Sequence, residues 1–267
     1  MDLETLNSDL TAEQEALDAV CDALDDDSWA LPTPSPGWTV ADQIAHLTYF
    51  DRAAVMAIRD PEGFRDHLGE VVAALEDGPA AFEALTLGSL RELPPPTLLA
   101  SWRDARRELA LAAATLGDRD RVPWYGPDMA AKSFLTARLM EVWAHGQDVC
   151  DAVGVTRAAT DRLAHIARLG FITRGWTFLN RGEELPTVPV RVELISPSGE
   201  HWRFGPDDAA ESVEGSAEDF ALVVTQRRHI DDTALVVTGD DALSWMSQAQ
   251  AFAGPPTDPP VPRWGLS

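Results

Sequence analysis

The sequence predicts an α+β protein: an N-terminal four-helix bundle followed by a small mixed α/β domain. Three observations lead there. Four long stretches repeat their apolar residues at intervals of three and four, the spacing of one helix face. Clusters of proline and glycine separate those stretches. Near residue 188 the apolar period drops to two and the punctuation becomes turn chemistry, as in a half-buried sheet. A chain of 267 residues has room for two modest domains. The pattern divides it into residues 1–155, a helical bundle; 156–255, a small α/β domain including a connecting helix; and 256–267, a flexible tail.

Leu3, Leu6, Leu10, Leu17, Val20 and Leu24 form the apolar stripe of a first helix. Pro32, Pro34, Pro36 and Gly37 interrupt the chain, and Thr39 with Asp42 three residues on has the form of a helix start. A second helix is expected from about Val40 to Arg59, stopping before Pro61. Residues 62–93 carry one or two shorter helices. Pro94, Pro95 and Pro96 precede a third long helix with Leu99, Trp102, Leu109 and Leu116. Pro123, Gly126 and Pro127 predict a loop over 117–128, and a fourth long helix follows from about Ala130 to Ala152, ended by Gly154. A further helical segment covers about 159–179. Val188 to Leu194 alternates apolar and other residues as a strand does, Ser196-Pro197-Ser198-Gly199 turns the chain, and Trp202 and Phe204 alternate in the return strand. Ala217–Arg228 is expected as a helix, Thr233–Val237 as a strand and Asp241–Ala251 as a last helix, and the proline-rich stretch from Gly254 as loosely ordered.

Charge narrows the function classes. Asp and Glu number 44 against 21 Lys and Arg, a net charge of −23, which repels a phosphate backbone or an anionic membrane surface. With two cysteines, no leader-like start and no apolar run of the ~18–20 residues that a spanning helix needs, a soluble cytoplasmic protein without disulfides is expected, monomer or homodimer. The expected partners are small molecules, with no nucleic acid and no membrane.

The chemistry concentrates on the fourth helix. At ~100° per residue, Glu141 and His145 lie about 40° apart and Asp148 about 20° to the other side of Glu141, while Leu139, Trp143 and Cys150 face away. A Glu and a His four residues apart can chelate one ion, with a third ligand from another helix. His46, within the apolar stretch Ala41–Leu47, is the best donor. His67 lies in a charged segment, His201 in a hairpin strand, His229 beside Arg228 and Asp231, and His165 beyond the bundle. Taken alone, such a pair is ordinarily a solvated couple on a helix surface and such a histidine a satisfied core residue; the residues around them change the reading.

Pro36-Gly37-Trp38-Thr39-Val40 leading to Ile44-Ala45-His46-Leu47, together with Arg138-Leu139-Met140-Glu141-Val142-Trp143-Ala144-His145-Gly146-Gln147-Asp148, resembles the mycothiol-dependent maleylpyruvate isomerase family. That family has a DinB-like helical bundle and a small sterol-carrier-like C-terminal domain, and the resemblance spans most of the chain, closer to an actinobacterial branch than to the isomerase itself. It implies that His46, Glu141 and His145 hold one divalent ion, expected to be Zn2+. Asp148 is the candidate acceptor that orients His145, its plain alternative being a helix-surface carboxylate. The block Thr225-Gln226-Arg227-Arg228 aligns with the segment in which the family places a functional arginine, so Arg227 is the expected catalytic cation for a substrate carboxylate.

Three protein ligands leave a zinc one open position, the mark of a catalytic site. Mycothiol or another small thiol bound there would be a thiolate at neutral pH. The implied activity is isomerisation of, or S-transfer to, a small electrophilic or unsaturated acid: thiolate addition turns a double bond into a rotatable single bond, and elimination restores it in the other geometry. The ligand set alone leaves open a metal-dependent hydrolase, a two-histidine-one-carboxylate Fe(II) enzyme and a non-catalytic metal-binding protein.

Overall fold

Asp2 accepts a hydrogen bond from the Thr5 amide at 2.8 Å and so starts α1 (Leu3–Asp22). Thr39 and Asp42 form a reciprocal capping box at the head of α2 (Val40–Arg59). Prolines occupy the first turns of α3 (Pro61–Glu76), α4 (Pro79–Arg91) and α5 (Pro95–Ala113), where their missing amide costs nothing. Gly154, with φ of 70°, closes α6 (Ala131–Val153) in the left-handed conformation that glycine tolerates best. The computed structural model describes residues 2–262, and the chain divides between Thr156 and Arg157 into two units, in an α+β fold.

The first unit is the helical bundle. Its interior is built from Leu6, Leu10 and Leu17 of α1, Ile44 and Leu47 of α2, Leu98, Trp102 and Leu109 of α5, and Leu135 and Leu139 of α6, all at most 3% exposed. Burying side chains of this kind contributes ~1.5–3 kcal/mol each. One polar node interrupts the apolar core. Asp51 of α2, fully buried, accepts hydrogen bonds from Gln14 of α1 at 3.3 Å, Trp102 of α5 at 3.2 Å and Arg138 of α6 at 3.0 Å, so one residue from each of the four long helices meets there.

The expected loop over 117–128 contains a hairpin, β1 (Arg121–Trp124) with β2 (Gly126–Ala130), which pairs Arg121 with Ala130 and Val122 with Met129. Pro123 and Pro127 mask it in the sequence, because proline marks edge strands and turns equally.

In the second unit the single helical segment expected over 159–179 is two helices, α7 (Leu163–Ile172) and α8 (Arg174–Asn180). Gly170 lets α7 approach the later helix Ala217–Val224: a Cβ there would lie 2.8 Å from Val224 Cγ2. The sheet runs β4-β3-β5-β6, formed by β3 (Val190–Ile195), β4 (His201–Phe204), β5 (Glu211–Ser216) and β6 (Val236–Thr238). β3 pairs antiparallel with β4 and parallel with β5, and β5 pairs antiparallel with β6. α9 (Ala217–Val224) ends four residues before the expected Arg228. Gln226 takes a φ of +57°, and the Arg227 and Arg228 amides turn back to the Leu222 carbonyl at 2.8 and 3.2 Å, which terminates the helix. α10 (Asp240–Met246) is likewise shorter than expected. The start of the expected flexible tail is tied down: Thr257 bonds to Gln250 and Gln226, and Arg181 donates to Asp258. Its last five residues lie outside the described ones. Among the described residues no helix is long and apolar enough to cross a membrane.

Candidate metal centre

α2 and α6 run antiparallel and bring three sequence-predicted residues together. His46 Nε2 lies 3.4 Å from Glu141 Oε2, and His145 Nε2 lies 3.1 Å from the same oxygen. One donor atom of each residue lies within 4.8 Å of the others, and all three side chains are partly buried. The four-residue spacing of Glu141 and His145 places both on one helix face.

Gln43, one turn before His46, decides the state of His145. Its amide nitrogen donates to Thr33 Oγ1 at 2.8 Å, which leaves its oxygen to accept from His145 Nδ1 at 2.5 Å. The neutral imidazole therefore carries its proton on Nδ1 and turns the Nε2 lone pair toward Glu141. A lone pair and a carboxylate oxygen at hydrogen-bond distance repel one another unless a cation lies between them. Two imidazole nitrogens and a carboxylate arranged in this way fit a divalent ion of the zinc type.

The residues around the site follow from the same two helices and the loop before α2. Thr33 N and Oγ1 both donate to the Trp38 carbonyl, at 2.8 and 2.9 Å, and the Trp38 ring lies 5.2 Å from the His46 ring and stacks at 5.9 Å on that of His145. Phe50, one turn beyond His46, packs against the same imidazole at 4.5 Å. Burial pushes the Glu141 carboxyl up, but when the two imidazoles are protonated their hydrogen bonds and charge outweigh it, holding Glu141 well below the usual carboxylate range.

Asp148 is buried and accepts from Ser35 Oγ at 3.0 Å, while the bond that orients His145 through Nδ1 comes from Gln43. Gln43 is thus a partner of His145 that the sequence reading did not name. Arg227 belongs to the second unit and follows the end of α9 rather than forming its last turn; its guanidinium donates to the Thr225 carbonyl at 2.6 Å. Sequence reasoning passed over Gln43, although it sits three residues before His46 on the same face. It also passed over Trp38 and Arg138, which were quoted in the motif blocks without a role.

Comparison with known proteins bears on this site. A family model described as the mycothiol maleylpyruvate isomerase N-terminal domain matches residues 10–150, which include all three candidate ligands. A model described as wyosine base formation matches residues 186–238. Two uncharacterised proteins of Mycobacterium tuberculosis, one from each of two strains, are 47% identical over 249 residues, covering 93% of this chain and 95% of theirs. Two crystal structures of the mycothiol-dependent maleylpyruvate isomerase, one of them a histidine-to-alanine mutant, align with TM-scores of 0.57 and 0.58 at 19% identity, covering 91% of this chain and 94% of theirs. At that identity the likeness is one of fold.

Proposed function

The chain belongs to the mycothiol maleylpyruvate isomerase family, and from that premise we propose that it is a zinc-dependent enzyme which uses mycothiol, or a close small thiol, to isomerise or modify a small unsaturated or electrophilic acid. The observation that carries the reading is the convergence of His46 Nε2, His145 Nε2 and Glu141 Oε2 within a partly buried site, with the Nδ1 proton of His145 committed to Gln43. Bound zinc would supply Lewis acidity, holding a coordinated thiol as thiolate at neutral pH. The chain's own residues do the rest. Gln43 fixes the tautomer and ring orientation of His145. Glu141 contributes a full negative charge, since its carboxyl stays ionised across the neutral range. Trp38 and Phe50 shield the imidazoles with apolar surface. Three protein ligands leave room for one exchangeable partner, which favours turnover over a purely structural ion.

The direct test is spectroscopic. Titrating mycothiol into Co(II)-substituted protein is expected to add a sulfur-to-metal charge-transfer band in the near ultraviolet, saturating at one thiol per chain. Absence of the band with mycothiol, cysteine and glutathione would reject thiol activation and leave the hydrolytic use of the same ligands.

Arg227 is the proposed cation for the substrate carboxylate, because a guanidinium holds a carboxylate through two parallel charge-assisted bonds and an ammonium does not. With maleylpyruvate as probe, Arg227→Lys is expected to lower turnover about tenfold or more, on the order of the ~1.4 kcal/mol that one lost oriented contact represents, with zinc content unchanged. Wild-type turnover in that variant would remove Arg227 from the site.

A further inference from the structure

Three of the polar contacts between α2 and α6 form a ladder. Gln43 meets His145, His46 meets Glu141, and Asp51 meets Arg138; residue numbers rise along α2 as they fall along α6. The middle rung is the candidate metal site. On one side of it stands a neutral hydrogen bond, on the other a buried ion pair whose partners are 0% and 3% exposed. Asp51 lies five residues, ~7.5 Å of helix, beyond His46, and Arg138 lies three residues, ~4.5 Å, before Glu141.

Ile44 and Leu47 of α2 and Leu139 and Val142 of α6 are wholly buried, so apolar packing supplies most of what surrounds these contacts. Apolar contact is non-directional and tolerates a slide of one helix along another. A bond between a guanidinium and a carboxylate does not. Asp51 is moreover held from two further sides, by Gln14 of α1 and Trp102 of α5, so its position is referred to the whole bundle. Arg138 also lies over the rings of Phe50 and Trp124, its guanidinium carbon 6.0 and 5.9 Å from the ring centres, and Phe50 is a residue packed on His46. Buried ionic contacts are costly to form, and their best-attested use is to fix register.

We propose that Asp51 and Arg138 are positioning residues of the metal centre: their ion pair sets the axial register of α2 against α6, so that His46 Nε2 from one helix meets Glu141 and His145 from the other. This rests on the metal reading above and adds to it the residues that hold the two ligand-bearing helices in step. Neither residue touches the ion. Their effect reaches it through the helices, as supporting contacts around metal ligands do when their loss lowers affinity ~10–100-fold.

The test compares zinc affinity, by competition with a chromophoric chelator, in wild type, Arg138→Lys, and Arg138→Lys combined with Asp51→Glu. Lysine keeps the charge but shortens the reach; glutamate restores the reach from the other side. Zinc Kd is expected to rise about tenfold or more in Arg138→Lys, with native circular dichroism, and to recover in the double variant. An ion pair that served stability alone would lower the melting temperature of the metal-free protein and leave Kd unchanged. Equal Kd in all three folded proteins would overturn the proposal. If Arg138→Lys does not fold, Trp102→Phe, which removes one donor to Asp51 and keeps an aromatic ring, is read in the same way: a raised Kd supports the proposal and an unchanged one overturns it. A wild-type chain that takes up no zinc would instead overturn the metal reading itself, and the proposal with it.

Discussion

Replacing His46, Glu141 or His145 by alanine is expected to reduce zinc from about one ion per chain to background after dialysis. Each residue supplies one of three donors, all within 4.8 Å of one another. Residues that only support metal ligands cost ~10–100-fold in affinity when removed, so loss of a ligand should exceed 100-fold. A second readout is independent of elemental analysis. Metal that binds only the folded chain stabilises it by RT ln(1 + [L]/Kd), ~2.7 kcal/mol at a hundredfold excess over Kd. For a bundle of this size ~1 kcal/mol moves the midpoint by ~2–4 °C, so added zinc should raise the wild-type melting temperature by several degrees and leave the three variants unmoved. Full zinc occupancy in His46→Ala would remove the site.

That three residues on two helices could be chosen from the sequence reflects how helices encode direction. A four-residue step puts Glu141 and His145 on one face without tertiary information, and the Thr39–Asp42 cap fixes the start of α2 and with it the phase of His46. The four long helices were legible for the same reason, each bounded by proline, glycine or a capping side chain. What stayed hidden depended on partners far along the chain. Gln43 acquires its role only because His145, 102 residues away, presents Nδ1 to it. Asp148 shares the stripe of Glu141 and His145, and it accepts a hydrogen bond from Ser35 of the loop before α2, of which periodicity says nothing.

In the second unit the strand most easily missed is β5. Glu211-Ser212-Val213-Glu214-Gly215-Ser216 contains a single large apolar residue, although it pairs on both sides, with β3 and with β6. Strand propensity reports fit to a half-buried pleated surface, and a strand stabilised mainly by main-chain pairing gives little of that signal. The early end of α9 has a similar cause. The helix stops where Gln226 adopts a left-handed φ, a conformation that sequence assigns readily to glycine or asparagine and seldom to glutamine.

Removing one partner of the Asp51–Arg138 pair should destabilise the bundle far more than a charge-preserving change, and the damage should depend on pH. In Arg138→Met the guanidinium is gone while Asp51 stays fully buried, keeping only the amide of Gln14 and the indole of Trp102. Breaking a buried pair in this way costs ~3–5 kcal/mol, a fall of roughly 6–20 °C in melting temperature for a unit of this size. Burial already pushes the Asp51 carboxyl above its ordinary value, against the opposing pull of Arg138, the Trp102 indole and the charge of His46. Without Arg138 it rises further. A carboxyl whose folded pKa lies above its unfolded one binds more protons folded than unfolded, so stability falls as pH rises from the unfolded value of ~4 through the folded one. Melting curves of metal-free wild type and variant should therefore lie closest near pH 4 and separate as pH increases. His46, whose charge also reaches Asp51, is common to both proteins and largely cancels from the difference. A gap that stays constant with pH would mean that Asp51 is not left as a buried charge, and a gap below ~1 kcal/mol would mean that the four-helix node is not held by its ion pair.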